Sequence, residues 1–376
     1  MGTEININPT MLTWAIIRAG YVLGDFLEKF PNVKKWIEKA KSPTVKQLED
    51  FSRRVHIPFG YLFLQEPPKE QIPFPFFRTG NHQTNQVSLN VYDTILILQR
   101  RQDWLIDYLL DNDGSALPFV GKFDHNASFE AIVEDIRNTL NLDPEWANDC
   151  QTFEDTLNFI TKKIEEVGIM INFNGVVENN THRVIPVNEC RGFVLVNKMA
   201  PFMFVNAADA KAAQLFTIIH ELAHIWLGES AGFDNQNLLP ANNPVERLCD
   251  QVAAEFLVPA ISFHKRWANS ADINKLAKYF KVSSIVIARR ALDLGKMNKA
   301  AFFQFYNQYM EGVRIKKEGQ GSGGDFYATA RKRISVSFAA YVDQAVRQNK
   351  LLYRDAYKIT GLRGDTYQTF VTKHIF

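Results

Sequence analysis

The stretch His220-Glu221-Leu222-Ala223-His224-Ile225-Trp226-Leu227-Gly228 decides how the rest of the chain is read. Apolar or small residues at Leu215, Ile218, Ile219, Leu222, Ala223, Trp226 and Leu227 recur at helical spacing, and Gly228 stands where a left-handed C-terminal cap would end the element. Side chains four apart on a helix share one face, so His220 and His224 are placed to hold a single metal ion. Glu221, about 100° further round the helix, can reach a water beside that ion without coordinating the ion itself, which is the position of a general base. A buried helix with two hydrogen-bonded histidines would carry the same five residues, so a further ligand has to be found elsewhere.

A catalytic zinc site keeps three protein ligands and one open position. The segment Pro244-Val245-Glu246-Arg247-Leu248-Cys249-Asp250-Gln251-Val252-Ala253-Ala254-Glu255-Phe256-Leu257-Val258-Pro259 offers the third. It is bounded by prolines, and Leu248, Val252, Ala253, Phe256 and Leu257 give it one core face. Glu246 lies 22 residues beyond His224, which leaves a loop long enough to return the chain beside the first helix. Asp250 sits four residues on, on the same side, where a carboxylate can accept the distal N–H of a ligand histidine and fix its tautomer. Glu255 falls on another side and reads as solvated. Cys249 reads as a small buried thiol rather than a fourth ligand.

These residues, together with the Ala253-Ala254-Glu255-Phe256-Leu257-Val258-Pro259 ending, resemble the ImmA/IrrE metallopeptidases. Asp272-Ile273-Asn274-Lys275-Leu276-Ala277-Lys278-Tyr279-Phe280-Lys281-Val282-Ser283 is similar to the sequence that follows the site in that family. Upstream, Ser42-Pro43-Thr44-Val45-Lys46-Gln47-Leu48-Glu49 resembles the junction between the third and fourth helices of an XRE-type helix-turn-helix. Pro67-Pro68 and Phe77-Arg78-Thr79 resemble the link that follows it. Many relatives carry Asn where this chain has Asp250.

The resemblance implies a Zn2+-dependent endopeptidase of narrow specificity, with His220, His224 and Glu246 as metal ligands and Glu221 as catalytic base. Its protein substrate would be a helix-turn-helix repressor controlling stress or mobile-element genes. It also implies a competing reading, because such proteins occur beside toxin genes. In that case the chain is a DNA-binding regulator or antitoxin with a toxin partner and a structural or inactive zinc site.

With 376 residues, 46% hydrophobic and 12% aromatic, the chain is long enough for two or three packed units. A net charge of only +2 means that any nucleic-acid site is local. Cys150, Cys190 and Cys249 have neither a disulfide framework nor paired metal spacing, as expected of a reducing cytoplasm. No apolar run has the length of a membrane span, and Met1-Gly2-Thr3-Glu4 lacks a basic leader and a myristoylation signal. A cytoplasmic protein with no membrane contact is expected.

Along the chain, 11–64 is helical, broken at Gly20, Pro31 and Pro43. The segment 31–41 occupies the recognition-helix place, and its Lys34, Lys35 and Lys39 are placed for DNA phosphates. Lysine mixed with glutamate also makes an ordinary solvated surface, and the alternative is a degenerate module kept for docking a protein. A proline-rich connector at 66–75 should form neither helix nor central strand. Helices are expected over 92–112 and in a pair spanning 128–166, then strands at 169–173, 192–196 and 202–205. A small sheet before such a helix is the zincin layout, in which an edge strand holds an extended substrate by backbone pairing. Arg289 and Arg290 fit either a substrate anion or a structural salt bridge, and His264 is a solvated residue or a candidate for transition-state stabilisation. The run 319–324 reads as flexible, and 325–376, with Arg331, Lys332 and Arg333, as a helical appendage.

The fold class expected is therefore α+β. It comprises a helix-turn-helix domain over 1–66, a helical linker region over 67–165, a zincin-like metallopeptidase domain over 166–318 and a helical C-terminal region over 325–376.

Overall fold

A computed structural model describes residues 4–68, 76–78, 82–84, 87–233, 243–317 and 333–375. Most of the proline-rich connector, Thr79, the glycine-rich run 319–324, Arg331 and Lys332 lie outside these residues. The chain divides into two compact units. One gathers the described residues 4–68 and 87–93. The other takes 76–78, 82–84 and the described residues from Thr94 onward, so the expected boundaries near 166 and 325 fall inside it.

The first unit holds α1 (Pro9–Arg18), α2 (Leu23–Lys29), α3 (Pro31–Ile37) and α4 (Val45–Arg54), followed by a 3-10 turn at Phe59–Phe63. Two caps fix its helix starts. The Asn8 side chain accepts from the Thr10 amide, and Thr44 and Gln47 form a reciprocal capping box at the head of α4. Leu12, Ile16, Phe26, Trp36, Leu48 and Phe51 fill the core. Only Phe30 separates α2 from α3, whereas a helix-turn-helix usually turns through three or four residues. The expected recognition helix is also shorter than 31–41. It ends at Ile37, and Lys39, with φ of 58°, lies beyond it in a left-handed conformation. Lys34, Lys35 and Lys39 are exposed, with a long Lys34–Glu38 pair of 4.0 Å.

The second unit is built on a six-stranded sheet in the order β2-β1-β8-β6-β7-β3. Its strands are β1 (Phe76–Arg78), β2 (His82–Thr84), β3 (Met170–Asn174), β6 (Gly192–Leu195), β7 (Phe202–Asn206) and β8 (Ala231–Phe233), while β4 (Val176–Val177) and β5 (Asn180–Val184) form a separate hairpin. The three strands expected from the sequence are present, and β1, β2 and β8 enlarge the sheet. The region 67–165 is thus not purely helical.

Every residue of β3, β6 and β7 is buried, so both faces of the sheet must be covered. α8 (Lys211–Leu227) packs on β6 and β7. Elsewhere on the sheet, α5 (Leu89–Leu110) sends Gln102 to the carbonyls of Leu195 and Ala200 at 2.8 and 2.7 Å. α6 (Phe129–Leu140) and α7 (Phe153–Glu166) flank α8, and α9 (Pro244–Leu257) packs along it. α10 (Ala260–Asn269), α11 (Ile273–Phe280) and α12 (Ser284–Asp293) follow, then α13 (Lys299–Lys317). The C-terminal helices α14 (Val336–Arg347), α15 (Tyr353–Thr360) and α16 (Asp365–His374) belong to the same unit, and the Phe338 ring of α14 meets that of Phe202 at 5.5 Å. No described helix is long and apolar enough to cross a membrane.

Candidate metal centre

α8 is central and buried. From Gln214 to Leu227 every side chain is buried, and the helix ends at Gly228 with φ of 76°. An added Cβ at Gly228 would stand 3.0 Å from the Gly121 Cα, so both the backbone turn and this close approach require glycine there. The amides of Gly121 and Phe123 satisfy the Ile225 and Trp226 carbonyls at 3.0 and 3.1 Å, which finishes the helix inside the protein rather than in water. The Trp226 indole donates to Asp135 at 2.8 Å and stacks on Phe119, fixing the rotation of the helix about its axis.

α9 begins with Asn243 capping the Val245 amide and Pro244 in the first turn, which places Glu246 at the favourable positive end of the helix. The packing of α9 on α8 brings the predicted ligands together. His220 Nε2 is 3.1 Å from Glu246 Oε2, His224 Nε2 is 3.2 Å from Glu246 Oε1, and the two Nε2 atoms are 3.2 Å apart. Four ligands at about 2 Å from a tetrahedral metal lie about 3.3 Å from one another, close to the 3.2 Å between the two nitrogens and to the distance from each nitrogen to its own Glu246 oxygen. On the far side of the ring, His220 Nδ1 meets Asp250 Oδ1 at 3.1 Å.

His220, Glu221, His224 and Glu246 are 0%, 0%, 1% and 3% exposed. The buried Glu246 carboxylate and the partly exposed Asp250 carboxylate flank one imidazole and favour positive charge between them. Burial pushes the His220 pKa down, but its bonds to Asp250 and Glu246 outweigh this and carry it up to about 10. Burial likewise opposes ionisation of Glu246, and His224 and His220 hold its carboxyl well below the usual carboxylate range. A divalent cation is the other way to supply that charge. The donor set fits one, and Glu246 Oε1 is a buried oxygen without a satisfactory hydrogen bond.

Cys249 is nearer this centre than a purely structural thiol need be, since its sulfur can group with nitrogens of His220 and His224 within 4.8 Å. The Glu246 oxygens also approach the two rings, at 3.1 Å from His220 and 3.2 Å from His224. Burial pushes the Cys249 thiol well above its ordinary pKa, so without a cation beside it the group is held as the neutral thiol.

Neither Glu221 oxygen has a hydrogen-bond partner, and burial raises the pKa of its carboxyl well above the ordinary value. The carboxyl lies against β6, where a Cβ added at Gly192 would be 3.3 Å from Glu221 Oε1 and 2.5 Å from Thr217 Cγ2. Sequence reasoning missed Gly192, whose importance appears only when β6 is laid across α8. Asp250 also lines a cavity of about 420 Å³ with Arg247, Arg289 and Phe216.

Arg289 and Arg290, also singled out in the sequence, line the same cavity as Asp250 but are engaged in ion pairs of their own. Arg290 is structural: it pairs with Glu255 and donates to the Val258 carbonyl at 3.0 Å. Glu255 is therefore not a solvated carboxylate, and it also accepts from the Ala260 amide at 3.2 Å. Arg289 pairs with Asp293 at 2.9 Å, and His264 is exposed on α10.

Asp250→Ala is expected to weaken metal retention by about 10- to 100-fold, the usual result of losing the partner that orients a ligand histidine. Asp250→Asn keeps an oxygen for His220 Nδ1 and should cost less. Competition with a chromophoric chelator measures both, and equal losses would mean that Asp250 acts through its charge.

Residues 164–292 match the Peptidase M78 family model, described as an IrrE N-terminal-like domain. The match runs from the end of α7 through α12 and takes in the whole cluster. Residues 334–373 match a model described only as a domain of unknown function. A search of curated proteins found no match.

Proposed function

We propose that this chain is a zinc-dependent endopeptidase of narrow specificity acting in the cytoplasm. The observation that carries this reading is the convergence of His220, His224 and Glu246 at 3.1–3.2 Å beside Glu221, within the stretch similar to the peptidase family. His220, His224 and Glu246 would hold the ion, and Asp250 fixes the tautomer and orientation of His220. Zinc supplies Lewis acidity in such a site, polarising a carbonyl and lowering the pKa of water. Glu221 takes the proton of the attacking water on its carboxylate and returns it to the leaving amine. Burial disfavours the ionised form of Glu221, and a cation held at the neighbouring histidines would favour it, leaving a carboxylate with neither oxygen engaged by the protein for the task.

The substrate is proposed to be a helix-turn-helix repressor of stress or mobile-element genes. Comparison of protein termini in cells carrying wild type or Glu221→Gln tests this. A fragment of a helix-turn-helix protein that depends on Glu221 supports the reading. Unchanged promoter control with no such fragment transfers the function to a regulator or antitoxin whose metal site is structural.

The exposed lysines of the first unit give that second reading its footing. If Lys34, Lys35 and Lys39 contact phosphates, affinity for the promoter of its own operon falls steeply with salt, and replacing all three flattens the dependence. Mobility-shift titrations across salt concentrations measure this. Absence of binding at low salt assigns 11–64 to docking a protein.

A further inference from the structure

β6 runs past the catalytic carboxyl. The Cβ position of Gly192, its first residue, is 3.3 Å from Glu221 Oε1. One edge of β6 pairs antiparallel with β7, and the other pairs antiparallel with β8 in the register Gly192↔Phe233, Phe193↔Gly232 and Val194↔Ala231. An extended peptide that reached Glu221 by adding a strand to β6 would need the edge that β8 fills. The far end of the sheet gives no substitute beside Glu221, because β3 is separated from β6 by β7 and is buried along its length.

β8 is well placed to occupy that edge and poorly built to keep it. Only Gly228, Glu229 and Ser230 separate it from α8, so its concentration at the edge is high whatever its intrinsic affinity. The Ser230 hydroxyl accepts from the Val196 amide at 2.8 Å, clipping the incoming chain to the strand just past β6. Yet β8 has only three residues with glycine in the middle, and its other edge is held by just two register pairs with β1, a strand equally short.

We infer that β8 is an internal stand-in for substrate. It holds the β6 edge antiparallel, and the enzyme acts when an extended segment of a protein substrate displaces it and pairs with 192–194 in its place. Backbone pairing of this kind accepts many sequences, so selectivity would rest on which partners can present an unfolded segment close enough to compete with a tethered strand. This rests on the peptidase reading and adds a latency to it.

The test locks and releases the strand in the full-length, zinc-loaded protein. Val194 and Ala231 are register partners, so Val194→Cys with Ala231→Cys allows a cross-strand disulfide on treatment with diamide, with wild type treated in parallel. A mixed library of quenched fluorogenic peptides serves as substrate. The oxidised double variant should cleave at least about tenfold more slowly than the same protein after reduction, with zinc content unchanged. Gly232→Pro, which a strand flanked on both sides does not tolerate, should cleave faster than wild type and expose 192–196 to hydrogen exchange. Equal rates for the locked and reduced forms, or exchange at 192–196 that is already fast in wild type, would overturn the latency alone. Absence of Glu221-dependent cleavage in every form, Gly232→Pro included, would overturn the peptidase reading and the latency with it.

Discussion

Glu221→Gln is expected to keep the fold and the full metal content while slowing peptide cleavage by about 10²- to 10⁴-fold, the usual cost of losing a general base. The reason lies in what the carboxyl touches. Both oxygens are buried without a hydrogen-bond partner, so the substitution breaks no bond that holds α8 in place. An amide has nearly the same shape and carries no charge, and burial already disfavours charge at this position. The variant therefore loses the proton acceptor and little else. Single-turnover cleavage by wild type and variant at matched zinc occupancy measures the ratio. A variant that cleaves at the wild-type rate would remove Glu221 from the mechanism, and one that loses its metal would make Glu221 part of the ion's support.

The second large effect is on the metal itself. His220→Ala, His224→Ala and Glu246→Ala should each leave the purified protein without its bound ion, because an open site with three protein ligands has none to spare. Glu246→Ala is the most informative. It also removes the carboxylate that shares His220 with Asp250, leaving the rings at 220 and 224 facing each other at 3.2 Å. Cys249→Ser is the counterpart, since the thiol groups with the same histidines within 4.8 Å. It should leave the metal content unchanged. Elemental analysis of the four proteins, dialysed against the same buffer, separates the two ligand sets. Metal retained by Glu246→Ala and lost by Cys249→Ser would reverse the assignment.

The centre was legible in the sequence because its chemistry is local on each helix. A spacing of four places His220 and His224 on one face, and the prolines around 244–259 frame the helix that carries Glu246 and Asp250. The three core strands were legible for a related reason. β6 and Phe202–Val205 of β7 are continuous apolar runs, as strands buried on both faces tend to be, and β3 keeps Met170, Ile171 and Phe173 around a buried Asn172.

What was missed depends on partners distant in the chain. Ala231-Gly232-Phe233 has no strand signature of its own and becomes a strand only because β6 lies beside it. Phe76–Arg78, just beyond the proline-rich connector at 66–75, is drawn into the sheet by pairing parallel to β8. Arg101 sits within a helix that was read correctly, yet it is buried and its bonds go to the Ile359 and Thr360 carbonyls, more than 250 positions away. Glu255 looked solvated by helical phase alone, and only the packing of α12 shows that it holds Arg290. The recognition helix is shorter than its sequence pattern because Glu38, Lys39 and Lys41 continue a polar helical pattern although the backbone leaves the helix after Ile37 and turns left-handed at Lys39.

The most direct measurement is zinc K-edge X-ray absorption on the full-length protein. An inner shell of nitrogen and oxygen at about 2.0–2.1 Å, with two imidazole signatures and no sulfur, is the expected result for His220, His224 and Glu246 with one open position. A sulfur scatterer at about 2.3 Å, or a protein that takes up no zinc, would contradict it.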